Sequence, residues 1–139
     1  NKAIELLTQA AELGSVEACG ILGDGYNPNM DDRWRVEKDL ERTFHYYELA
    51  AKGGHDQARN NFGILEYNAG NISTGMKHFM IAAAQGNDLA LENVRDLGYM
   101  RGHVSKDDFA KALRAHKDVQ DEMYSDQRAK SKHERSLDS

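Results

Sequence analysis

A chain of 139 residues with 40% hydrophobic and 29% charged residues suits one domain or a short repeat array. Its net charge of −5, with both signs mixed along the chain, argues against a nucleic-acid footprint. The longest apolar run, the six residues from Phe79 to Ala84, is far too short to span a membrane. A single proline, Pro28, among abundant Ala, Leu, Glu, Lys and Gln favours helix throughout. The one cysteine, Cys19, cannot form an internal disulfide, which suits a reducing compartment and leans toward the cytoplasm. The chain opens at Asn1 inside a helical pattern, without a secretory apolar segment, so it reads as a monomeric piece of a longer protein.

Taken in order, Lys2 to Leu13 carries Ala3, Leu6, Leu7, Ala10 and Ala11 at helical spacing. Gly14 closes that helix and Ser15 is suited to cap the next, which holds Val16, Ala18, Cys19 and Leu22 beside Gly23. Residues 27–35 form a turn-rich insert whose Trp34 is expected to fold back onto the helices. Val36 and Asp39 lead into an amphipathic helix with Tyr46, Tyr47, Ala50 and Ala51 on one face, closed by Gly54. A further helix holds Ala58, Phe62, Gly63 and Leu65 and ends near Gly70. Then come His78, Phe79, Ala82, Ala83 and Gly86, followed by Ala90, Val94 and Leu97 with a break over 98–102. Ser105 and Asp108 have capping-box spacing and open a last helix through Phe109, Ala112, His116, Val119 and Met123. From Ser125 onward the polar composition predicts a solvated helix end and a frayed tail.

One skeleton recurs: Ala-Ala-x-x-Gly-x-x-x-Ala at Ala10-Ala11, Gly14 and Ala18, again at Ala50-Ala51, Gly54 and Ala58, and again at Ala82-Ala83, Gly86 and Ala90. The glycines fall at intervals of 40 and 32 residues, the period of helical-hairpin solenoids. Alanine pairs let two backbones approach, and glycine takes the left-handed conformation that ends a helix. Ala18, Leu22, Gly23, Tyr26, Val36, Asp39, Arg42, Thr43, Tyr46, Tyr47, Ala50, Ala51 and Gly54 together resemble a Sel-one-like repeat, a relative of the tetratricopeptide repeat. Ala58, Phe62, Gly63, Gly75, His78, Phe79, Ala82, Ala83 and Gly86 resemble a second with a short inter-helix loop. The end of the chain, with Lys-Ala-Leu-Arg-Ala-His and Ser-Asp-Gln-Arg, is similar to repeat proteins of single-celled algae and water moulds.

The resemblance implies an all-α, right-handed superhelical solenoid of about seven helices over 1–123. In it 1–14 is the second helix of a truncated repeat, 15–54, 55–86 and 87–123 are further repeats, and 124–139 is a polar helix end or tail. The last repeat departs from the pattern: Val94-Arg95 replace Leu-Gly, Ala115-His116 the aromatic pair, and Val119-Gln120 the alanines. That suits a cap with no following unit to receive its face.

Nothing in the spacing predicts catalysis. Histidines 45, 55, 78, 103, 116 and 133 form no metal-ligand pattern, and His78 falls where Leu6 and Tyr46 fall, so it reads as a packing residue. Gly20, Gly23 and Gly25 lie in or at the end of a helix and do not form a phosphate loop. Asp31-Asp32 suits a turn and Asp107-Asp108 a helix N-terminus. Cys19 reads as a small buried residue, and Asn71-Ile72-Ser73 is a glycosylation sequon that matters only in a luminal protein. No metal or cofactor is expected. The expected activity is binding of another protein or an extended peptide in a concave groove, with no catalytic role; the alternative is a recruiting segment of a larger enzyme, such as a ubiquitin ligase, whose catalytic part lies elsewhere.

By the resemblance, the groove positions are Glu17 and Asp24 in the first unit, Gln57, Asn60, Ile64, Tyr67 and Asn68 in the second, and Glu92, Asp96 and Tyr99 in the third. Amides donate to and accept from peptide groups, and tyrosine adds apolar area with a polar tip. This inner wall has acidic ends and no Lys or Arg, so it is expected to favour a partly basic peptide.

Overall fold

A glycine in the left-handed region closes each alanine-pair helix. Gly14, Gly54 and Gly86 have φ of 94°, 90° and 98°, which a β-branched residue adopts only under strain. In each case the residue that follows caps the next helix. Ser15 Oγ accepts from the Ala18 amide at 3.1 Å, His55 Nδ1 from Ala58 at 3.0 Å, and Asn87 Oδ1 from Ala90 at 2.8 Å. One dipeptide thus stops one helix and starts the next, which makes the hairpin turn short.

The computed structural model describes residues 1–138. Among them there is no strand. Seven α-helices succeed one another: α1 (Lys2–Glu12), α2 (Val16–Tyr26), α3 (Leu40–Lys52), α4 (Asp56–Asn68), α5 (Ile72–Ala84), α6 (Asp88–Asn93) and α7 (Lys106–Asp138). Helices α1 to α6 pack chiefly on their sequence neighbours, with the α2–α3 and α4–α5 hairpins the most closely joined, and α7 packs mainly against α5. The result is an all-helical repeat solenoid, as the spacing implied.

Inside the hairpins, aromatic rings fill the space that missing side chains leave. A Cβ on Gly23 would stand 2.3 Å from the Tyr47 ring, and one on Gly63 would stand 2.7 Å from Phe79. Both rings are fully buried. Burial of one such ring contributes about 1.5–3 kcal/mol. Around Tyr47 lie Cys19, Ala50, Ala58 and Leu65; around Phe79 lie Met76, Ala82, Ala83, Ala90, Val94, Val104 and Ala112. The pairs Ala50-Ala51 and Ala82-Ala83 are therefore interior, whereas Ala10-Ala11 in α1, at one end of the array, are only partly covered and α1 buries no residue fully.

Two segments differ from the sequence reading. Where Val94-Arg95 replace Leu-Gly, Val94 takes the buried apolar place, and the backbone widens into a π-helical turn over Val94–Gly98. Gly98 then makes the close approach, with its Cβ position 2.7 Å from Val104, before a short 3-10 turn over Tyr99–Arg101. The second difference is α7, which does not fray at Ser125 but continues to Asp138, while Ser139 lies outside the described residues. No glycine or proline follows Gly102 to stop it, and a Lys117–Asp121 pair at 2.9 Å supports its exposed face. Every described residue from Asp121 on is exposed.

The insert folds back as expected. Trp34 is half-buried against Gly25, its carbonyl accepts from the Asn1 side chain, and Lys38 Nζ donates to the carbonyls of Gly25 at 3.1 Å and Asp31 at 2.6 Å.

Gly54→Val is expected to lower stability by about 1–3 kcal/mol through backbone strain, since no atom lies within 4 Å of the added Cβ. Ala51→Leu, at a buried site, should cost about 1–3 kcal/mol by overpacking. Deleting 125–139 should leave the urea midpoint almost unchanged. Urea titrations of the three variants check all of this, and unchanged midpoints for the first two would overturn the assigned turn and packing roles.

Candidate functional site

Helices α2, α4 and α6, the first helices of successive repeats, lie side by side and are joined by side-chain amides. Asn61 Nδ2 donates to Asp24 Oδ1 at 3.2 Å, linking α4 to α2. Gln57, one turn earlier and on the same face, donates to Asn61 Oδ1 at 3.1 Å and accepts from Asn87 Nδ2 at 3.2 Å. Asn87 also donates to Asp56 at 2.9 Å, and Asn93 Nδ2 donates to Asn60 Oδ1 at 2.9 Å, both joining α6 to α4. On the other side of Asp24 the Tyr47 hydroxyl donates to the same Oδ1, and Asn27 Nδ2 donates to that hydroxyl at 3.3 Å. Burial first, and the bond to Asp24 second, push the Tyr47 phenol above its ordinary pKa, so it stays a donor.

This network changes the expected role of several groove residues. Asn60 is only 1% exposed, so its amide is committed to Asn93 and not open to a peptide. Asp24 and Gln57 are likewise engaged, each at one atom or both. Glu17 is exposed, 3.5 Å from His55 Nε2, and Ile64 packs partly against the Phe79 cluster. Tyr67 accepts from Arg101 Nη1 at 2.7 Å, with the guanidinium 6.0 Å from its ring centroid. Asn68 and Glu92 are exposed, and the Tyr99 ring lies 5.1 Å from that of Phe109. Asp96 accepts from Arg95 at 2.7 Å, a bond that holds its carboxyl below the usual carboxylate range. The expectation of a wall without cations is therefore corrected. Arg101 reaches Tyr67 from the turn before α7, and Arg95 turns onto Asp96.

The amides Asn61, Asn87 and Asn93 were missed. Asn61 carried a signal, its i, i+4 spacing from Gln57; Asn87 and Asn93 acquire their role only when α6 stacks on α4.

Outside this face, His78 packs against Phe62 with ring centroids 4.3 Å apart, and its Nδ1 lies 3.3 Å from Arg59 Nη1. Arg59 Nη2 in turn donates to the Ala51 carbonyl at 3.1 Å, which also accepts from the Gly54 amide at 3.0 Å at the end of α3. Burial, and then the Arg59 charge, lower the His78 pKa to about 4. Cys19 is buried, which raises its thiol pKa. Among the described residues no group of three or more His, Cys, Asp or Glu is placed to hold a metal ion, and no helix is long and apolar enough to cross a membrane.

The profile of the Sel1 repeat matches residues 1–15, 18–55 and 95–114, more than half of the sequence. The chain belongs to the Sel1 repeat family. The profile passes over residues 56–94, yet the α4–α5 hairpin repeats the α2–α3 geometry with a shorter connection. The chain is similar to DAP3-binding cell death enhancer 1 of Mus musculus, 35% identical over 103 residues, covering 69% of this chain and 18% of that protein. The Rattus norvegicus protein of the same name is 34% identical over 103 residues, with the same coverage. The chain thus spans under a fifth of the curated relatives it matches. No solved structure matches it. Sel1 repeats are protein-interaction modules, typically non-catalytic, and point to protein partners.

Two measurements test this geometry. Asn60→Ala should lower stability by about 1–3 kcal/mol, because it leaves the Asn93 amide without its acceptor. An Asn60→Ala/Asn93→Ala cycle should be non-additive, and additive losses would separate the two residues. For His78 the unfolded ring takes a proton near 6.5 but the folded ring only near 4. The unfolded state binds more protons between those values, so stability falls as pH drops through that window. His78→Phe should flatten the decline between pH 6.5 and about 5, as read from urea midpoints. An unchanged slope would remove His78 from the pH dependence.

Proposed function

We propose that this array is a non-catalytic adaptor that holds an extended segment of a partner protein along the shared face of α2, α4 and α6. The observation that carries the reading is the continuity of that face. Side-chain amide hydrogen bonds tie three successive units into one surface, and Glu17, Ile64, Tyr67, Asn68 and Glu92 remain at least partly exposed on it. A surface fixed before binding costs less ordering when a flexible segment docks. Membership of the Sel1 repeat family and likeness to relatives named for binding DAP3 support a protein as the partner class. Tyr67 is the central anchor in this reading, since its ring is positioned by Arg101 and needs little further ordering. Glu17 and Glu92 at the two ends steer a partly basic segment.

The test is an array of short extended peptides probed with wild-type chain, followed by titration of hits at two ionic strengths. Tyr67→Ala should weaken binding about tenfold or more, measured well below the melting temperature of the variant, which falls because the ring also packs against the Phe79 cluster. Glu92→Lys with Asp96→Lys should slow association mainly at low salt. Hits whose affinity is indifferent to all three substitutions would refute the face as the site.

A further inference from the structure

We propose that the cavity between α2 and the 27–35 insert is a specificity pocket for a lysine or arginine side chain of the bound segment. This rests on the reading of the shared helix face as a peptide-binding surface. The cavity measures about 310 Å³ and is lined by Ile21, Asp24, Met30, Asp31, Arg33 and Trp34. That is the low end of ligand-site volumes, the size for one side chain rather than a cofactor.

Asp24 supplies the chemistry. Its Oδ1 takes both protein donors, the Tyr47 hydroxyl and the Asn61 amide, while Oδ2 has no donor among the described residues. Both donors are neutral, and no Lys, Arg or His forms an ion pair with Asp24 among those residues. A partly buried carboxylate therefore keeps an open acceptor and an uncompensated charge. Neither nearby cation bonds to Asp24, although Arg33 lines the cavity. Lys38 is held by two carbonyls, and Arg33 stands 3.8 Å from Asp31, both side chains being largely exposed.

The other walls suit the stem of a basic side chain. Ile21, Met30 and Trp34 offer apolar surface for methylenes, and the indole adds a cation–π partner for the charged head. A glutamate would meet Asp24 and Asp31. A purely apolar side chain would leave Oδ2 covered and unpaired. Asp24 also joins the amide network of the shared face, so a segment lying on α4 reaches the pocket without leaving that surface.

Trp34 is the only tryptophan in the chain, so its emission reports on the cavity. The experiment titrates the full chain with glycine-serine peptides carrying one central arginine or lysine, or in their place citrulline or norleucine. Trp34 emission is read alongside anisotropy of the labelled peptide. Arginine and lysine peptides should give a saturable emission change, with citrulline and norleucine at least about tenfold weaker, as loss of a hydrogen bond to a charged group implies. Asp24→Asn keeps an oxygen for Tyr47 and Asn61 and should lose the same factor while melting as wild type. Met30→Lys, an exposed loop change, places a cation at the cavity and should block binding even if Asp24→Asn folds poorly. Equal affinity for arginine and citrulline, or wild-type affinity in Met30→Lys, overturns the pocket. Peptide anisotropy that responds to Tyr67→Ala while Trp34 stays silent overturns the pocket and leaves the shared-face reading standing. Absence of any peptide binding overturns both.

Discussion

The ring of Tyr47 occupies the space where Gly23 has no side chain, and much of the structure depends on that approach. With a methyl group at residue 23 the α2–α3 hairpin would have to open, because a ring cannot yield by more than a fraction of an ångström in a packed interior. The approach places the ring in the core and carries its hydroxyl to Asp24, so one contact sets both the apolar and the polar geometry. Gly63 and Phe79 repeat it in the next hairpin, and there the two backbones come closer still, with the Gly75 Cβ position 2.9 Å from the Gly63 carbonyl.

From Asp24 the polar order spreads sideways. Asn61, Gln57, Asn87, Asn60 and Asn93 each have an uncharged donor and acceptor, so they satisfy one another and donate to the Asp24 and Asp56 carboxylates across helices without adding a charge of their own. The same arrangement that fixes the spacing of α2, α4 and α6 uses up the amides that a bound peptide would otherwise meet. In the proposed reading a partner meets the rim of this network: acidic residues at its ends, an arginine-braced tyrosine near its middle, and the open Oδ2 of Asp24 beside the insert.

Stability is distributed unevenly along the array. The Tyr47 cluster lies between the α2–α3 hairpin and α4, and the Phe79 cluster between α5, α6, the π-helical turn after it and the first turns of α7. The helix α1 buries no residue fully, and the second half of α7 is solvated on every side. Opening should therefore begin at both ends and leave the central hairpins to the last, as in other arrays whose units contact only their neighbours.

The alanine-glycine skeleton by itself determined the fold class, the helix order and the hairpin turns, because these rest on local rules. A left-handed glycine stops a helix wherever it stands, and a pair of small residues permits close approach whatever lies opposite. Ser15 and Ser105 were legible as caps for the same reason, and His78 as a packing residue. The persistence of α7 to Asp138 was not, since polar composition speaks for exposure and says little about where a helix without glycine or proline ends. Tertiary structure alone decided which groove residues stay free. Asn60 and Asn68 are the same residue type on one helix, yet one is buried against Asn93 and the other faces solvent. That difference arises from how α6 stacks on α4, a pairing between residues some thirty apart that no local pattern encodes.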